Sequence, residues 1–401
     1  MSIVNEDLEE IKLLSKTLGI KVLNTVIHNL KSIHPSTFIS KAKALELINK
    51  SKILKCNNII INDEISPAQM KNLQEIAGMD VRILDRTGII IDIFNIHAQS
   101  SEAKKQVQLA KLEYMLPRLT RQWTHLERQM GGTGTRGGPG EKQIEIDRRL
   151  IRGNITKLKK DIEKISQSKN TQRKRRDEAI CISLAGYTNA GKSTLMNSLT
   201  KSNVYAKDEL FATLDSTTKE LDLQIAQKVL LSDTVGFIQK LPHELVASFQ
   251  TTLSDIKSSD FILKVIDSSY ENISMHIDTI QRTLEELSCS NIESKYIFNK
   301  IDLISEDEIK GLFRKYPDSI FISAKKNIGI NDLRKYLQKI IKINYVEEVI
   351  KIKYDALSII NEIYSNLDVL KREDKELFVS LTVQGEKSKI ESIKAKLNKK
   401  T

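Results

Sequence analysis

Apolar residues recur along the chain at two spacings, every second position or every three to four, and the spacing predicts the elements that form. Up to about residue 100, short apolar runs alternate with helical patterns. The runs predict buried strands at residues 22–27, 59–61 and 81–84. The helical patterns predict helices at residues 8–18, 42–48 and 67–77, the last capped by Ser66. This order indicates a small α/β layer with a mostly parallel sheet.

The segment from Asp85 to His97 fits two interpretations. Its isoleucines suit a strand, yet Ile89, Ile93 and His97 recur at helical spacing, and Asp85 stands where a helix would begin. We therefore expect a helix here.

Two heptad patterns follow, separated by a glycine-rich break. The first comprises Leu109, Leu112, Leu116, Leu119, Trp123 and Leu126, and the second comprises Ile144, Ile151, Ile155, Leu158, Ile162 and Ile165. Two such helices joined by a loop are expected to fold back as an antiparallel helical hairpin, with a kink at Pro117. The loop at its tip, residues 131–140, contains too many glycines to hold a helix.

The rest of the chain alternates strands and helices up to about residue 342, which predicts a doubly wound α/β domain with a mainly parallel sheet. A small α+β tail follows, with strands at 349–354 and 377–383 and helices at 356–370 and 387–397. The predicted domains are residues 1–100, 101–176, 178–342 and 346–401.

The most specific motif has the phosphate-loop pattern GxxxxGK[ST], between an apolar run and the start of a helical pattern. It comprises Gly186, Tyr187, Thr188, Asn189, Ala190, Gly191, Lys192 and Ser193. Glycines let backbone N–H groups turn towards a phosphate, and the following helix N-terminus adds positive potential. Lys192 is expected to reach the β- and γ-phosphates, and Ser193 to bind Mg²⁺.

Three later segments stand at the spacings of a guanine-nucleotide switch, each after a predicted strand. They are Asp233, Thr234, Val235 and Gly236; Asn299, Lys300, Ile301 and Asp302; and Ser323, Ala324 and Lys325. The Asp302 carboxylate can accept two hydrogen bonds from guanine, which adenine cannot donate, and the third segment can supply a backbone donor to the guanine oxygen. Asp233 is expected near Mg²⁺, and the Gly236 amide near the γ-phosphate. The ordered set predicts a GTP-binding site.

The first switch is expected within residues 211–218, where Thr213, Thr217 and Thr218 all compete to complete the Mg²⁺ shell. Position 237 carries Phe237 where Ras-like enzymes have a water-orienting glutamine, so we expect slow intrinsic hydrolysis. K⁺ is a second candidate cofactor, held against the phosphates by Asn189. A hydrogen bond within the loop is the equally weighted alternative for that side chain.

The charge of +11 over 401 residues favours a polyanionic partner, although a genome rich in lysine codons explains it as well. A basic second helical arm with a glycine-rich tip suits folded RNA, while a solvated face is the alternative. Three cysteines without paired spacing lead us to expect a reduced, cytoplasmic compartment, and no apolar stretch approaches the ~18 residues of a membrane span. We also expect a monomer. The acidic N-terminus also lacks the apolar core of a signal peptide.

Several segments resemble the HflX family of bacterial GTPases, related to the Obg group. They are LEYMLPRLT at 112–120, GGTGTRGGPG with EKQIEIDRR at 131–149, FATLD at 211–215 and DTVGFI at 233–238. The resemblance extends from about residue 20 to 342 and implies a P-loop GTPase that binds the large ribosomal subunit. It further implies splitting of stalled or idle ribosomes, hydrolysis stimulated by the ribosome, and contact of the hairpin tip with ribosomal RNA.

The resemblance also assigns individual residues. It selects Thr213 as the Mg²⁺ ligand of the first switch beside Ser193, and it places Phe211, Ala212, Thr213, Leu214 and Asp215 at the nucleotide. The expected catalytic residues are then Lys192, Thr213 and Gly236. Two alternatives stay open: a GTP-switched protein that guards large subunits without splitting ribosomes, and a GTPase that serves RNA modification.

Overall fold

The computed structural model describes residues 2–30, 32–119, 141–174, 179–200, 210–211, 213–239 and 255–398. The chain forms two compact units. The first comprises Met1–Asn170, Lys207–Asp215 and Ile238–Thr252, and the second comprises Thr171–Ala206, Ser216–Phe237 and Leu253–Thr401. The chain therefore passes between the units inside both predicted switch segments, after Asp215 and after Phe237. The division into four domains stays a prediction.

The first unit begins as an α/β layer whose elements follow the predicted order. They are α1 (Ser2–Thr17), α2 (Lys41–Ile53), β1 (Asn58–Ile61), α3 (Pro67–Ala77) and β2 (Arg82–Asp85). β1 and β2 pair in parallel, and a core that includes Phe38, Ile48 and Leu73 packs beside them. Ser66 and Gln69 form a capping box at the start of α3, which explains why this helix was predictable from local sequence.

The strand predicted at residues 22–27 is wrong. Residues 20–30 form no regular element, and the side chains of Val22, Leu23, Val26 and Ile27 are exposed. In the described part of the chain, the sheet of β1 and β2 has no third strand. An apolar, β-branched run becomes a strand only where a neighbouring strand supplies hydrogen bonds and packing, and the described part of the chain supplies no such strand to residues 22–27.

The ambiguous segment after β2 is helical, as expected: α4 spans Arg86–His97, and the Asp85 side chain caps it by accepting from the Gly88 N–H at 2.8 Å. α5 (Ser101–Met115) ends in a 3₁₀ turn at Leu116–Arg118, so Pro117 terminates the helix where a kink was predicted. The helix α6 (Glu141–Lys174) follows.

The antiparallel helical hairpin is confirmed by the contacts between α5 and α6. Lys105, near the start of α5, pairs with Asp161, whereas Leu119, just beyond its end, accepts from Arg148 early in α6. The two heptad patterns pack together through Leu109, Leu112, Leu119, Ile151 and Leu158. Trp123, Leu126 and the predicted glycine-rich tip lie outside the described residues.

The second unit contains the predicted doubly wound domain. In chain order its elements are β3 (Ile180–Gly186), α7 (Lys192–Thr200), β4 (Thr217–Glu220), β5 (Val229–Asp233), β6 (Phe261–Asp267), α8 (Ile273–Glu286), β7 (Glu293–Asn299), α9 (Glu306–Lys315), β8 (Ile320–Phe321) and α10 (Ile330–Ile341). The strand order is β4-β5-β3-β6-β7-β8, and all neighbours are parallel except β4 and β5. The carboxyl ends of β3, β5, β6 and β7 therefore meet at one edge, where ligands of such sheets bind.

The tail forms a three-stranded antiparallel sheet with two helices. Its elements are β9 (Tyr345–Lys353), α11 (Ile360–Asn366), β10 (Asp368–Asp374), β11 (Phe378–Glu386) and α12 (Lys387–Asn398), with strand order β10-β11-β9. The helix predicted at 356–370 is wrong at its end, since residues from Asp368 onward form β10. Pairing with β11 decides this strand, because its charged residues carry little strand pattern of their own.

The cysteines and the helices can be compared with the expectations drawn from composition. Cys56, Cys181 and Cys289 are free cysteines. Among the described residues, no helix combines the length and the apolar character needed to cross a membrane.

Candidate nucleotide-binding site

The phosphate-loop motif connects the end of β3 to the start of α7, which is the strand–loop–helix context that it requires. Two of its glycines are required by close approach. A Cβ atom at Gly186 would lie 2.3 Å from the carbonyl oxygen of Val265, and one at Gly191 would lie 2.3 Å from Nδ2 of Asn299. Gly191 also has a φ of +87°, which disfavours any side chain.

Lys192 points into the loop. Its Nζ donates to the carbonyl oxygens of Gly186 at 3.2 Å and Tyr187 at 3.0 Å, and the residue is only 6% exposed. Burial lowers the pKa of Lys192 to about 8, while the charge of Asp233 acts in the opposite direction. A buried ammonium group whose partners are neutral carbonyls is well placed to bind phosphate oxygens.

Ser193 and Asp233, from α7 and the end of β5, meet beside the loop. The Ser193 hydroxyl donates to Asp233 Oδ2 at 2.5 Å. Hydroxyl and carboxylate oxygens are the ligands that Mg²⁺ prefers, and Mg²⁺ at nucleotide sites takes few protein ligands beside phosphates. This pair of oxygen donors therefore fits a Mg²⁺ ion held mainly by nucleotide phosphates. Among the described residues, no group of three or more His, Cys, Asp or Glu side chains could hold a metal ion.

The second switch segment lies directly against the phosphate loop. Thr188 N–H donates to the Phe237 carbonyl at 2.7 Å, and Phe237 N–H donates to the Gly186 carbonyl at 2.9 Å. A Cβ at Gly236 would approach Thr188 Cα to 2.8 Å and Lys192 Nζ to 3.0 Å, so only glycine fits. The Phe237 side chain is buried at 2% exposure.

Asn299, at the end of β7, joins three loops of the site. Its Nδ2 donates to the Ala190 carbonyl at 2.9 Å, and its Oδ1 accepts from the Ala324 N–H at 3.0 Å. Ala324 was one of the residues expected to supply a backbone donor to the guanine oxygen, but in the structure its N–H is bound to Asn299. The predicted donor among Ser323, Ala324 and Lys325 therefore stays a prediction.

Lys300 and Asp302 follow Asn299 in a left-handed turn and a 3₁₀ turn. Lys300 has a φ of 64°, and its Nζ lies 2.7 Å from Oδ2 of Asp267 at the end of β6. Ile301 and Asp302 are half-buried. Sequence reasoning missed Asp267, although its place at the carboxyl end of a parallel strand was a usable signal.

His276 is a second residue that the sequence did not single out. Its ring stacks on that of Tyr187 in the phosphate loop, with ring centroids 4.0 Å apart and planes at 10°. The centroid of the Tyr270 ring lies 4.2 Å from that of His276. Burial lowers the pKa of His276 to about 4, so the imidazole is neutral at pH 7. Nothing in the local sequence around His276 distinguishes it as a site residue.

The first switch segment is divided between the units. Phe211, Thr213, Leu214 and Asp215 belong to the first unit, and Ala212 lies outside the described residues. Of the alternative threonines, Thr217 and Thr218 are part of β4, and the Thr218 hydroxyl bonds to that of Ser232 at 2.8 Å. The structure thus leaves Thr213 as the candidate outside regular secondary structure.

The sheet, the phosphate loop and the guanine segments define a P-loop GTPase. Family models match residues 5–95 ("GTP-binding GTPase N-terminal"), 97–176 ("GTP-binding GTPase Middle Region") and 181–300 ("50S ribosome-binding GTPase"). GTPase HflX of Lacrimispora saccharolytica is 39% identical over 388 residues, which cover 94% of this chain and 90% of that protein. GTPase HflX of Escherichia coli is 40% identical over 332 residues, which cover 82% of this chain and 77% of that protein.

The chain therefore belongs to the GTPase HflX family and is a GTP-hydrolysing enzyme. Among solved structures, it is similar to a GTP-binding protein from the archaeon Sulfolobus solfataricus in complex with GDP. That likeness has 26% identity, covers 82% of this chain and 94% of the other, and has a TM-score of 0.42.

Proposed function

We propose that this GTPase binds the large ribosomal subunit and uses GTP to split stalled or idle ribosomes, with hydrolysis stimulated by the ribosome. The observation that carries the proposal is the basic outer face of α6 in the antiparallel hairpin. Among the side chains of this helix whose exposure is described, the exposed cations are Arg149, Arg152, Lys157, Lys159, Lys160 and Lys164. A rigid helix with a row of cations suits the phosphates of folded RNA, and the family model named for 50S binding supports the same partner.

The residues of the site take the following roles in this proposal. Lys192 binds the β- and γ-phosphates, and the Gly236 N–H meets the γ-phosphate. Ser193 and Thr213 bind Mg²⁺, which neutralises phosphate charge when it is bound. Asp302 accepts from guanine, and the pair of Lys300 and Asp267 holds the Lys300 stem beside the base.

Activation of the attacking water needs a polar group, and position 237 does not supply one. Phe237 can neither donate nor accept through its side chain, and its backbone is hydrogen-bonded to the phosphate loop. We therefore propose slow hydrolysis by the protein alone, and acceleration when the ribosome rearranges the second switch or supplies a polar group. Equal rates with and without ribosomes would contradict this.

The test is sedimentation of whole ribosomes with the protein and GTP, or with a non-hydrolysable analogue. Free subunits support splitting. An intact ribosome peak that carries bound protein favours the alternative, a GTP-switched guard of large subunits. Protein that binds neither ribosomes nor isolated large subunits contradicts both.

A charge variant separates RNA contact from a solvated helix face. Replacing three cations of α6 by alanine should weaken subunit binding and flatten its salt dependence, because each lost phosphate contact reduces the slope by about 0.7–0.9. The variant changes Lys157, Lys160 and Lys164. The control changes three exposed lysines of α9 and α10, namely Lys310, Lys335 and Lys339. Equal behaviour of both variants would count against the role of α6.

A further inference from the structure

The first turn of α8 places an imidazole ring against the phosphate loop. The His276 ring is stacked on the ring of Tyr187 at 4.0 Å, and the Tyr270 ring lies tilted by 42° beside it. His276 is 2% exposed and Tyr187 is 4% exposed, so the stack is closed to solvent. A helix outside the phosphate-loop motif therefore holds the side chain of the second residue of that motif.

The backbone around Tyr187 carries two further contacts of the site. Its carbonyl oxygen accepts from Lys192 Nζ at 3.0 Å, and the residue forms a parallel bridge with Phe237 of the second switch. All of these residues, with His276, belong to the second compact unit. A displacement of Tyr187 would therefore disturb both the buried lysine and the attachment of the second switch.

The charges that act on the His276 ring come from the ends of β6 and β7. They are those of Asp267 and Lys300, which form an ion pair at 2.7 Å and affect the imidazole in opposite directions. Burial is the largest influence on the pKa of His276, which it lowers to about 4. Within the described part of the chain, neither ring nitrogen has a hydrogen-bond partner. The stack thus accommodates a neutral ring and offers no acceptor to an imidazolium.

We propose that His276 is a positioning residue for nucleotide binding, which fixes Tyr187 and thereby the part of the phosphate loop that holds Lys192. The inference rests on the proposed role of Lys192 at the β- and γ-phosphates and does not involve the ribosome. A loop that is ordered before the nucleotide arrives loses less conformational freedom on binding, so it binds more tightly. Truncating the His276 ring leaves a cavity beside Tyr187 and removes that order.

Protonation of His276 should act in the same direction as its removal. An imidazolium needs acceptors for two N–H groups, and the closed stack supplies neither. The unfolded chain protonates this histidine near 6.5, whereas the folded protein does so only near 4. The stability that the neutral ring contributes is therefore complete above pH 6.5 and decreases as the pH falls towards 4.

The test measures GDP affinity and thermal unfolding in His276→Ala, His276→Phe and Leu284→Ala. His276→Ala should weaken GDP binding about fivefold, the size expected for an aromatic pair. His276→Phe keeps a planar ring and removes the two nitrogens without partners, so it should bind GDP as wild type does. Leu284, two turns further along α8, is also 2% exposed. Its truncation should lower the unfolding temperature and leave GDP affinity unchanged.

A pH profile and a double variant separate positioning from general packing. GDP affinity of wild type should fall below about pH 5, and this part of the fall should be absent in His276→Phe. The phosphates of GDP titrate alike in both experiments, so the difference between the profiles isolates the imidazole. Adding His276→Ala to Tyr187→Leu should weaken binding little further, because both changes remove the same stack.

Three outcomes would overturn the inference. They are wild-type GDP affinity in His276→Ala, an equal loss of affinity in Leu284→Ala, and identical pH profiles of wild type and His276→Phe. If His276→Ala yields no folded protein, His276→Leu takes its place. Leucine fills the volume but cannot stack as a planar ring, so GDP binding should weaken in the same direction, and wild-type affinity would again contradict the inference.

Lys192→Ala tests the underlying proposal separately. Unchanged nucleotide affinity in this variant would show that the assignment of Lys192 to the phosphates is wrong. If Lys192→Ala loses affinity while His276→Ala binds GDP as wild type does, only the positioning role of His276 is wrong.

Discussion

The side-chain amide of Asn299 donates to the backbone carbonyl of Ala190 at 2.9 Å and thereby joins the guanine segment to the phosphate loop. Its amide oxygen accepts from the Ala324 N–H at 3.0 Å, and the residue is 2% exposed. One buried side chain thus joins the phosphate loop to the two segments that we propose contact the base.

Asn299→Ala is expected to weaken both GTP and GDP binding by similar factors. The change leaves the Ala190 carbonyl and the Ala324 N–H without their partner, which costs about 1–3 kcal/mol for each buried group. Thermal unfolding and nucleotide titration measure the two effects. Asn272→Ala, which removes a helix cap on α8, is the control for a general loss of stability. A selective loss of GTP binding alone would contradict a shared structural role.

Nucleotide binding should take up protons above pH 8 through Lys192. Its pKa is about 8 in the free protein, and phosphate charge favours the protonated form and raises that value. Affinity should therefore fall as pH rises above 8, because the lysine must be protonated on binding. At pH 8.5, calorimetry of GDP binding in two buffers with different ionisation enthalpies should show net proton uptake.

Lys192→Arg provides the control for this measurement. Arginine remains charged throughout this pH range, so the proton uptake should disappear even where binding is weaker. Uptake that persists in the variant would show that another group titrates.

Asp302→Asn should lower GTP affinity by about 100-fold or more, because guanine N1–H and N2–H lose the carboxylate that accepts both. The same amide should favour xanthine nucleotides, whose oxygen replaces the guanine amino group. Competition binding with GTP and XTP measures the change in preference. Asp307→Asn, an exposed change on α9, is the control. Unchanged GTP affinity in Asp302→Asn would remove this residue from the base site.

Replacing Asn189 by glycine distinguishes its two candidate roles, which are binding of K⁺ and a hydrogen bond within the phosphate loop. Asn189 has a φ of 61°, a left-handed conformation that asparagine tolerates and glycine adopts freely, so Asn189→Gly keeps the backbone and removes only the amide. If Asn189 binds K⁺, wild type should turn over GTP faster in K⁺ than in Na⁺, and the variant should lose that difference. Equal rates in both salts for wild type would exclude the K⁺ role.

The phosphate loop and many of the helices were predictable because their sequence signals are local. The glycines of the phosphate loop, the cap at Ser66 and the heptads of α5 and α6 each act within a few residues of sequence. Asp85 is another local signal. Its carboxylate accepts from the N–H of Gly88, three residues ahead, and this cap makes the segment after β2 a helix and not a strand. Capping residues and periodicity therefore predicted these elements without any knowledge of long-range contacts.

The tertiary structure decided what depends on a partner strand or on contacts between separate elements. Among the described residues, the apolar run at 22–27 has no strand to pair with, whereas the charged residues of β10 form a strand because β11 pairs with them. The stack of His276 on Tyr187 and the ion pair of Lys300 with Asp267 join separate elements in the same way.

The first switch, residues 211–218, shows most clearly what the sequence determined and what only the tertiary structure decided. The sequence by itself determined that residues 211–218 contain a Mg²⁺-binding threonine candidate, because hydroxyl residues recur there between the phosphate loop and Asp233. It could not determine that the Asp215 carboxylate accepts from the backbone N–H groups of Gln99 and Ser100, or that Phe211 packs on Phe94, because these partners lie more than a hundred positions apart in the chain. Such contacts depend on how burial and hydrogen bonding are satisfied over the whole fold, and no local pattern encodes them.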